Sequence, residues 1–327
     1  MHEFTPADIA QLTAVGISPE AAAAQLAQLS NPPPPILLVR PATIGDGIEP
    51  FTSWTPQTPD ALIAEGVAAA DAGRVLKFVP ASGAATRMFK PLHDALQTPG
   101  LPSHSPAAAE FFEQLDDLPF ADQLRQRAGV AGAPTSESEE RMILRTLLVD
   151  MGLAALPKAL VPFHRGDRVR TAFEEQLHEG ARYTRDAHGV TRLHFTVPGD
   201  ARAAFEAALR EVRPLVEVES VQRHARLSVQ FSVQSPATDT LALDADGTPS
   251  RATDGSLLLR PSGHGALLGN LQECGGDLVV VKNIDNILPS EHHDEVVRWK
   301  HLLIGYLARL QVDVFSHLHA ITAASPT

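Results

Sequence analysis

Two periodicities divide this chain. Short apolar runs bounded by turn residues predict strands over 74–79, 191–197, 226–233 and 277–282. Thr191-Arg-Leu-His-Phe-Thr-Val197 and Arg226-Leu-Ser-Val-Gln-Phe-Ser-Val233 alternate residue by residue. Helical spacing predicts helices over 84–97, 107–128, 137–152, 170–182, 200–211, 264–272 and 292–312. In the 137–152 segment Met142, Leu144, Leu147 and Leu148 supply the apolar positions of one face. The stretch 159–163 reads as extended, and 239–244 and 255–260 as strands joined around Asp246-Gly247. Strands alternating with helices predict an α/β fold, a mostly parallel sheet covered on both faces.

The punctuation sets the organisation. Residues 5–30 read as two short helices, with Thr5 and Ser18 as N-caps and Pro6 and Pro19 at the first helical position. Pro32 to Pro35 form a stiff linker, and 40–60, rich in Pro, Gly and Thr, reads as loop. The expected division is a helical appendage with its linker over 1–35 and an α/β domain over 36–327. No internal repeat is visible.

Composition narrows the partners. The 327 residues are 44% hydrophobic, enough for a sizeable core, and carry a net charge of −12. That charge argues against nucleic acid and anionic membranes, but a small anion needs only a local positive cluster. The single cysteine, Cys274, precludes an internal disulfide and sits in a Glu-Cys-Gly-Gly turn. No apolar run approaches the roughly 20 residues of a membrane span. The N-terminus lacks a basic region followed by a hydrophobic one. A soluble cytoplasmic protein is expected.

The chemistry concentrates where Val75-Leu-Lys-Phe-Val-Pro80 runs into Ala81-Ser-Gly-Ala-Ala-Thr-Arg-Met88. A strand, a small-residue turn and a helix start make a phosphate site, because helix N-terminal N–H groups point at the anion. Ser82, Gly83, Ala84 and Thr86 would supply the cradle, and Arg87 a planar fork of donors. Thr86 and Arg87 could equally do no more than solvate a helix start. Lys158, beside Pro157 in an apolar run, offers a second base, although a surface lysine lying over the core is the plainer reading. Asp285 follows the apolar run Leu278 to Val281; it suits a divalent cation, and equally an Asx turn. Glu291-His-His-Asp294 and His317-x-His319 lack the helical spacing that metal pairs need.

Pro80-Ala-Ser-Gly-Ala-Ala-Thr-Arg-Met88 resembles the signature loop of sugar-nucleotide pyrophosphorylases, and Leu156-Pro-Lys158 their Pro-Lys motif. Arg260-Pro-Ser-Gly-His-Gly-Ala-Leu267 and Asn283-Ile-Asp-Asn286 are similar to two segments of the UDP-sugar branch, in the family's order. Similar loop and Lys-Asn-Ile-Asp-Asn blocks mark a bacterial family known as domain of unknown function 4301. The chain is identified as a member of that group. Ser82, Ala84 and Ala85 depart from the glycines usual in the loop, and the chain reads as a short or truncated member.

The resemblance implies a nucleotide-diphospho-sugar transferase-like fold. It also implies transfer of a nucleotidyl group, UMP by preference, from a nucleoside triphosphate to a sugar 1-phosphate with release of pyrophosphate. Arg87 and Lys158 would then be catalytic and Asp285 would hold Mg²⁺. Gln234 would read a uracil edge, and Gly263, His264 and Gly265 would meet base or sugar. Two other readings stand beside it. The alanines in the loop suit a non-catalytic nucleotide or sugar-nucleotide binder. Gly263-x-Gly265-x-x-x-Gly269, with Asp285 about 20 residues on, nearly fits the fingerprint of an NAD-binding Rossmann dehydrogenase.

Overall fold

The computed structural model describes residues 4–43, 45–48, 57–219 and 226–324, so part of the loop expected over 40–60 lies outside it. Helices α1 (Pro6–Ala14) and α2 (Pro19–Ser30) start where their prolines predict. Thr5 and Asp8 form a reciprocal capping box, and Ser18 accepts from the Ala21 N–H. Helix α3 (Pro59–Asp71) leads into β1 (Val75–Pro80), buried at every position, Lys77 included. Helix α4 (Thr86–Gln97) follows.

The single helix expected over 107–128 is broken into α5 (Pro106–Glu113), a 3-10 turn, and α6 (Ala121–Ala128). Leu118 is extended, as a residue before proline prefers to be, and Pro119 ends any helix entering it. Helix α7 (Glu137–Arg145) continues as a π-helical turn over Thr146–Asp150. The extended run near 160 becomes half of a hairpin, β2 (Pro162–Arg165) with β3 (Val169–Thr171). Then come α8 (Ala172–Tyr183), β4 (Val190–Val197), α9 (Arg202–Glu219) and β5 (Arg226–Val233). Helix α9 outruns its expected end and absorbs Pro214. Strands β6 (Thr240–Leu241) and β7 (Leu259–Arg260), helix α10 (Leu268–Glu273), β8 (Leu278–Val281) and α11 (His293–Ala324) complete the order.

The chain folds into two compact units, one of which takes Pro59–Ser232 and Gly276–Thr327. Its sheet has the order β5-β4-β1-β8, with β1 parallel to both β4 and β8. Helices flank it, as the α/β reading expects. Phe173, Leu177 and Ala181 of α8 pack with Phe205 and Leu209 of α9 against Val79, Phe195 and Leu227. Ala69 and Ala70 of α3 and Ile304 of α11 meet Val75 and Leu278. A third cluster joins α4, α5, α6 and α7 around Phe89, Leu115, Leu124 and Leu147. Helices α3 and α11 cross at backbone contact. A Cβ on Gly66 would sit 1.9 Å from the His301 carbonyl oxygen, and one on Gly305 1.9 Å from that of Leu62.

The other unit takes Met1–Thr58 and Val233–Gly275. Leu12, Ile17, Ala22 and Leu26 of the N-terminal helices form its core with Leu241 and Leu257. Strands β6 and β7 pair antiparallel. The Gln11 side chain exchanges two hydrogen bonds with the Leu257 backbone, at 2.9 and 2.8 Å, in the manner of a neighbouring strand.

Candidate active site

From β1 the strand order steps outward through β4 to β5, then returns to the opposite side of β1 with β8. In open α/β sheets this reversal opens a crevice at the carboxyl ends of the two diverging strands, where ligands bind. Here those ends are Pro80 and Val281, and the loops after them carry Ser82 to Thr86 and Asp285.

The loop after β1 is stitched to a segment over 70 residues later. The Ala85 N–H donates to the Leu156 carbonyl (3.2 Å), and the Lys158 N–H to that of Gly83 (3.0 Å). Ala84 and Pro157 form a lone antiparallel bridge between these bonds. Ala85 is the N-cap of α4 and offers no side-chain cap. With the Ala85 N–H on Leu156 and the Met88 N–H on the Ala85 carbonyl (2.9 Å), the Thr86 and Arg87 N–H groups are the helix-start donors left for an outside partner among the described residues. Gly83 lies outside the left-handed region, and a Cβ there would meet nothing within 4 Å. Neither turn geometry nor neighbouring protein atoms therefore demand glycine at this position. Thr86 and Arg87 form the first exposed turn of α4, and among the described residues Arg87 has no hydrogen-bond or ion-pair partner.

Asp285 reaches the same place from β8. The Lys282 N–H donates to the Phe78 carbonyl (3.0 Å) and the Ile284 N–H to that of Pro80 (3.2 Å), so the strap 282–285 prolongs the β8 edge along β1. Asn286 donates back to the Asn283 carbonyl (3.1 Å), which turns the chain after Asp285. The Lys158 ammonium then meets the Asp285 carboxylate at 2.5 Å, with the side chains 36% and 39% exposed. Lys158, Asp285 and the Gly83 loop thus share one end of the sheet, brought there from three distant segments.

Beneath the strap lies a charged interior. From Ala172 to Ala181 helix α8 is buried on all sides, although this span includes Glu174, Glu175, Gln176, His178 and Glu179. Glu179 accepts from Lys77 (3.0 Å), from Lys282 and from the Tyr183 hydroxyl (3.2 Å). Lys77 also donates to the Gln176 backbone carbonyl at 2.8 Å. Burial pushes the Lys77 ammonium down to about 7, against the pull of Glu179. Burial would raise Glu179, but the charge of Lys77 and the hydrogen bond from Lys282 bring it below the usual carboxylate range. Burial also holds Glu175 high, opposed by Arg170 and His164. The Gln176 amide donates to the carbonyls of Asn283 (2.8 Å) and Ile284 (3.1 Å), inside the strap.

Sequence reasoning passed over Lys77, Gln176, Glu179 and Lys282. Lys77 and Lys282 did carry a signal, each being a lone charge in or beside an apolar strand. The α8 carboxylates carried none, because polar residues on a helix ordinarily mark a solvated face.

Gln234, Gly263, His264 and Gly265 belong to the other unit. Gln234 donates to the Thr238 hydroxyl at 3.2 Å. His264 opens a 3-10 turn after β7 and is exposed. The Gly263–Gly269 segment follows a strand of a two-stranded antiparallel ribbon. A dinucleotide fingerprint needs a parallel βαβ unit at that point, so the Rossmann dehydrogenase expectation loses its structural basis. Among the described residues no helix is long and apolar enough to cross a membrane.

A family model described as domain of unknown function (DUF4301) matches residues 5–327. No curated protein matches the chain. Similar solved structures include a protein provisionally assigned as the UDP-N-acetylglucosamine pyrophosphorylase of Entamoeba histolytica. It is 14% identical with a TM-score of 0.43, and the match covers 81% of this chain and 49% of that one. Another is the uridine diphosphate N-acetylglucosamine pyrophosphorylase of Trypanosoma brucei in complex with an inhibitor. There the identity is 16% and the TM-score 0.45, over 93% of this chain and 53% of that one. The chain spans about half the length of these solved structures.

Proposed function

The chain belongs to the DUF4301 family, and we propose that it is a nucleotidyltransferase, moving a nucleotidyl group, UMP by preference, from a nucleoside triphosphate to a sugar 1-phosphate. The observation that carries the reading is the meeting of three parts at one end of the sheet. They are a helix start without a side-chain cap, the Lys158 ammonium and the Asp285 carboxylate. An anion accepts the free N–H groups of α4, a base neutralises it, and an acid takes its cation.

The acceptor phosphate is already ionised, so no general base is needed. Its oxygen attacks the α-phosphorus, the α–β bridging bond breaks, and pyrophosphate leaves with the electron pair. The Gly83 loop and Arg87 hold the β- and γ-phosphates, and Lys158 leaves Asp285 to bridge acceptor and α-phosphate. Catalysis is then positioning and charge neutralisation. Asp285 is accessible and singly placed, and among the described residues no group of three His, Cys, Asp or Glu side chains could enclose a metal. One carboxylate completed by phosphate oxygens and water is the donor set Mg²⁺ favours. Bound there, Mg²⁺ would supply charge neutralisation on the phosphates.

The test is a screen of nucleoside triphosphates against sugar 1-phosphates, followed by pyrophosphate release. Turnover is expected with at least one pair. Arg87→Lys and Lys158→Met should each lower it by about 10²–10³-fold, and Asp285→Asn should abolish Mg²⁺ dependence. Binding with pyrophosphate release at background would support the non-catalytic binder instead, and absence of both would overturn the reading.

A further inference from the structure

We infer that Gln176 is a positioning residue for the Asp285 carboxylate, acting through the backbone of the strap that carries it. Its chemical meaning rests on the nucleotidyltransferase reading, but its geometry does not.

The Gln176 amide reaches the two peptide groups immediately before Asp285, the carbonyls of Asn283 and Ile284. Carbonyl oxygens only accept, so the atom facing both is the NH₂ group, with one hydrogen for each. The other end of the amide is sacrificed. Gln176 Oε1 is buried and unpartnered among the described residues. Leaving an acceptor unmade has a cost of desolvation, so the two contacts to the strap are what this amide secures.

The helix that presents Gln176 cannot yield. Gln176 is 0% exposed, and one turn later Glu179 grips Lys282 at the start of the same strap. Ile284 and Ile287 are buried in the same apolar cluster as Phe173 and Leu177 of α8. From β1, the carbonyls of Phe78 and Pro80 hold the strap along its other edge. Asp285 therefore leaves a backbone fixed from two sides, while its own side chain stays accessible and meets Lys158. A carboxylate that must hold a cation against a triphosphate needs this arrangement, a rigid root with a solvent-accessible head.

The experiment uses the full chain and Gln176→Met, which keeps length and volume but donates nothing. Hydrogen exchange of the ligand-free protein is read first. The Lys282 and Ile284 amides should exchange about 10-fold faster or more, while those of β4 are unchanged. Unchanged exchange in the strap overturns the inference, whether or not nucleotide binds. Mg²⁺-UTP binding is read second, by calorimetry. Gln176→Met should weaken it by about 10-fold in Mg²⁺ and leave metal-free UTP binding as in wild type. In an Asp285→Asn background the substitution should have no further effect, because the two residues act in series. Equal weakening with and without Mg²⁺, or full additivity with Asp285→Asn, makes Gln176 merely structural and overturns the inference. If wild type binds no nucleotide, the proposed function fails and the exchange measurement alone decides the positioning. Should Gln176→Met not fold, Gln176→Asn, which falls one methylene short of the strap, is read in the same way.

Discussion

Three residues apart on one strap, Lys282 and Asp285 each join an ion pair, and the two pairs have opposite surroundings. Lys282 meets Glu179 where both side chains are almost fully buried, 6% and 0% exposed, with Lys77 on the other carboxylate oxygen. Asp285 meets Lys158 where more than a third of each side chain is open. Coulomb attraction favours both, but the desolvation cost differs. A buried pair has paid heavily to leave water and is held by packing, so losing one partner strands a charge. An exposed pair gives little to stability and can be exchanged for another partner at little cost. The inner pair fixes where the strap lies. On the proposed function, Lys158 would leave the outer pair for a phosphate and Asp285 for a cation.

The largest expected effect breaks the inner pair. Glu179→Gln leaves Lys77 and Lys282 without their counter-charge, and should cost about 3–5 kcal/mol in urea unfolding. A loss below about 1 kcal/mol would mean that the two lysines are not held charged by Glu179, and the contrast would collapse.

Next comes pH. Lys77 is held near 7 in the folded chain, below its ordinary 10.5. Below about pH 7 both folded and unfolded chains keep its proton, and this residue gives no slope. Between about 7 and 10.5 the unfolded chain holds a proton that the folded chain has released. Its contribution to stability therefore rises with pH across that window, by up to about 1.4 kcal/mol per unit. Unfolding measured from pH 6 to 10 should show the rise, and Lys77→Met should remove it.

The smallest stability effect belongs to the outer pair. Asp285→Asn should change unfolding free energy by no more than about 1 kcal/mol. A loss comparable with that of Glu179→Gln would show the outer pair to be structural as well.

What was legible in the sequence follows the same division. Gly83 and Asp285 stand in short segments whose local pattern shows a strand end and a turn, and strand ends are where an α/β sheet gathers ligands, whereas Lys158 showed only as a base beside Pro157 in an apolar run. The positions of the sheet strands along the chain were legible from their apolar runs, and the N-terminal helices from their caps and prolines, whereas the order of the strands in the sheet was not. Gln176 and Glu179 were not, because a helix reading Phe173-Glu-Glu-Gln-Leu-His-Glu179 has the polarity of a surface helix. Only the tertiary arrangement covers it, with β1, the strap and α9 packed around its sides. The break in 107–128 was written in Leu118-Pro119 but outweighed by the apolar spacing around it. The crossing of α3 and α11 could not be read at all, since glycines at 66 and 305 reveal a close approach only when the two helices are in place.

The strand order also sets a timetable for synthesis. Strand β1 ends at Pro80, and β8, which pairs with it, begins only at Leu278. At roughly 5–20 residues per second, a ribosome needs on the order of 10–40 s to travel between them. Through that interval Lys77 has no Lys282 beside it, and one edge of the central strand stays unpaired. Nascent chains halted after β5 should therefore depend on chaperones, because their bare β1 edge is a template for pairing with other chains. Release from that dependence should come abruptly, once the strap bearing Lys282 and Asp285 has emerged and closed over α8.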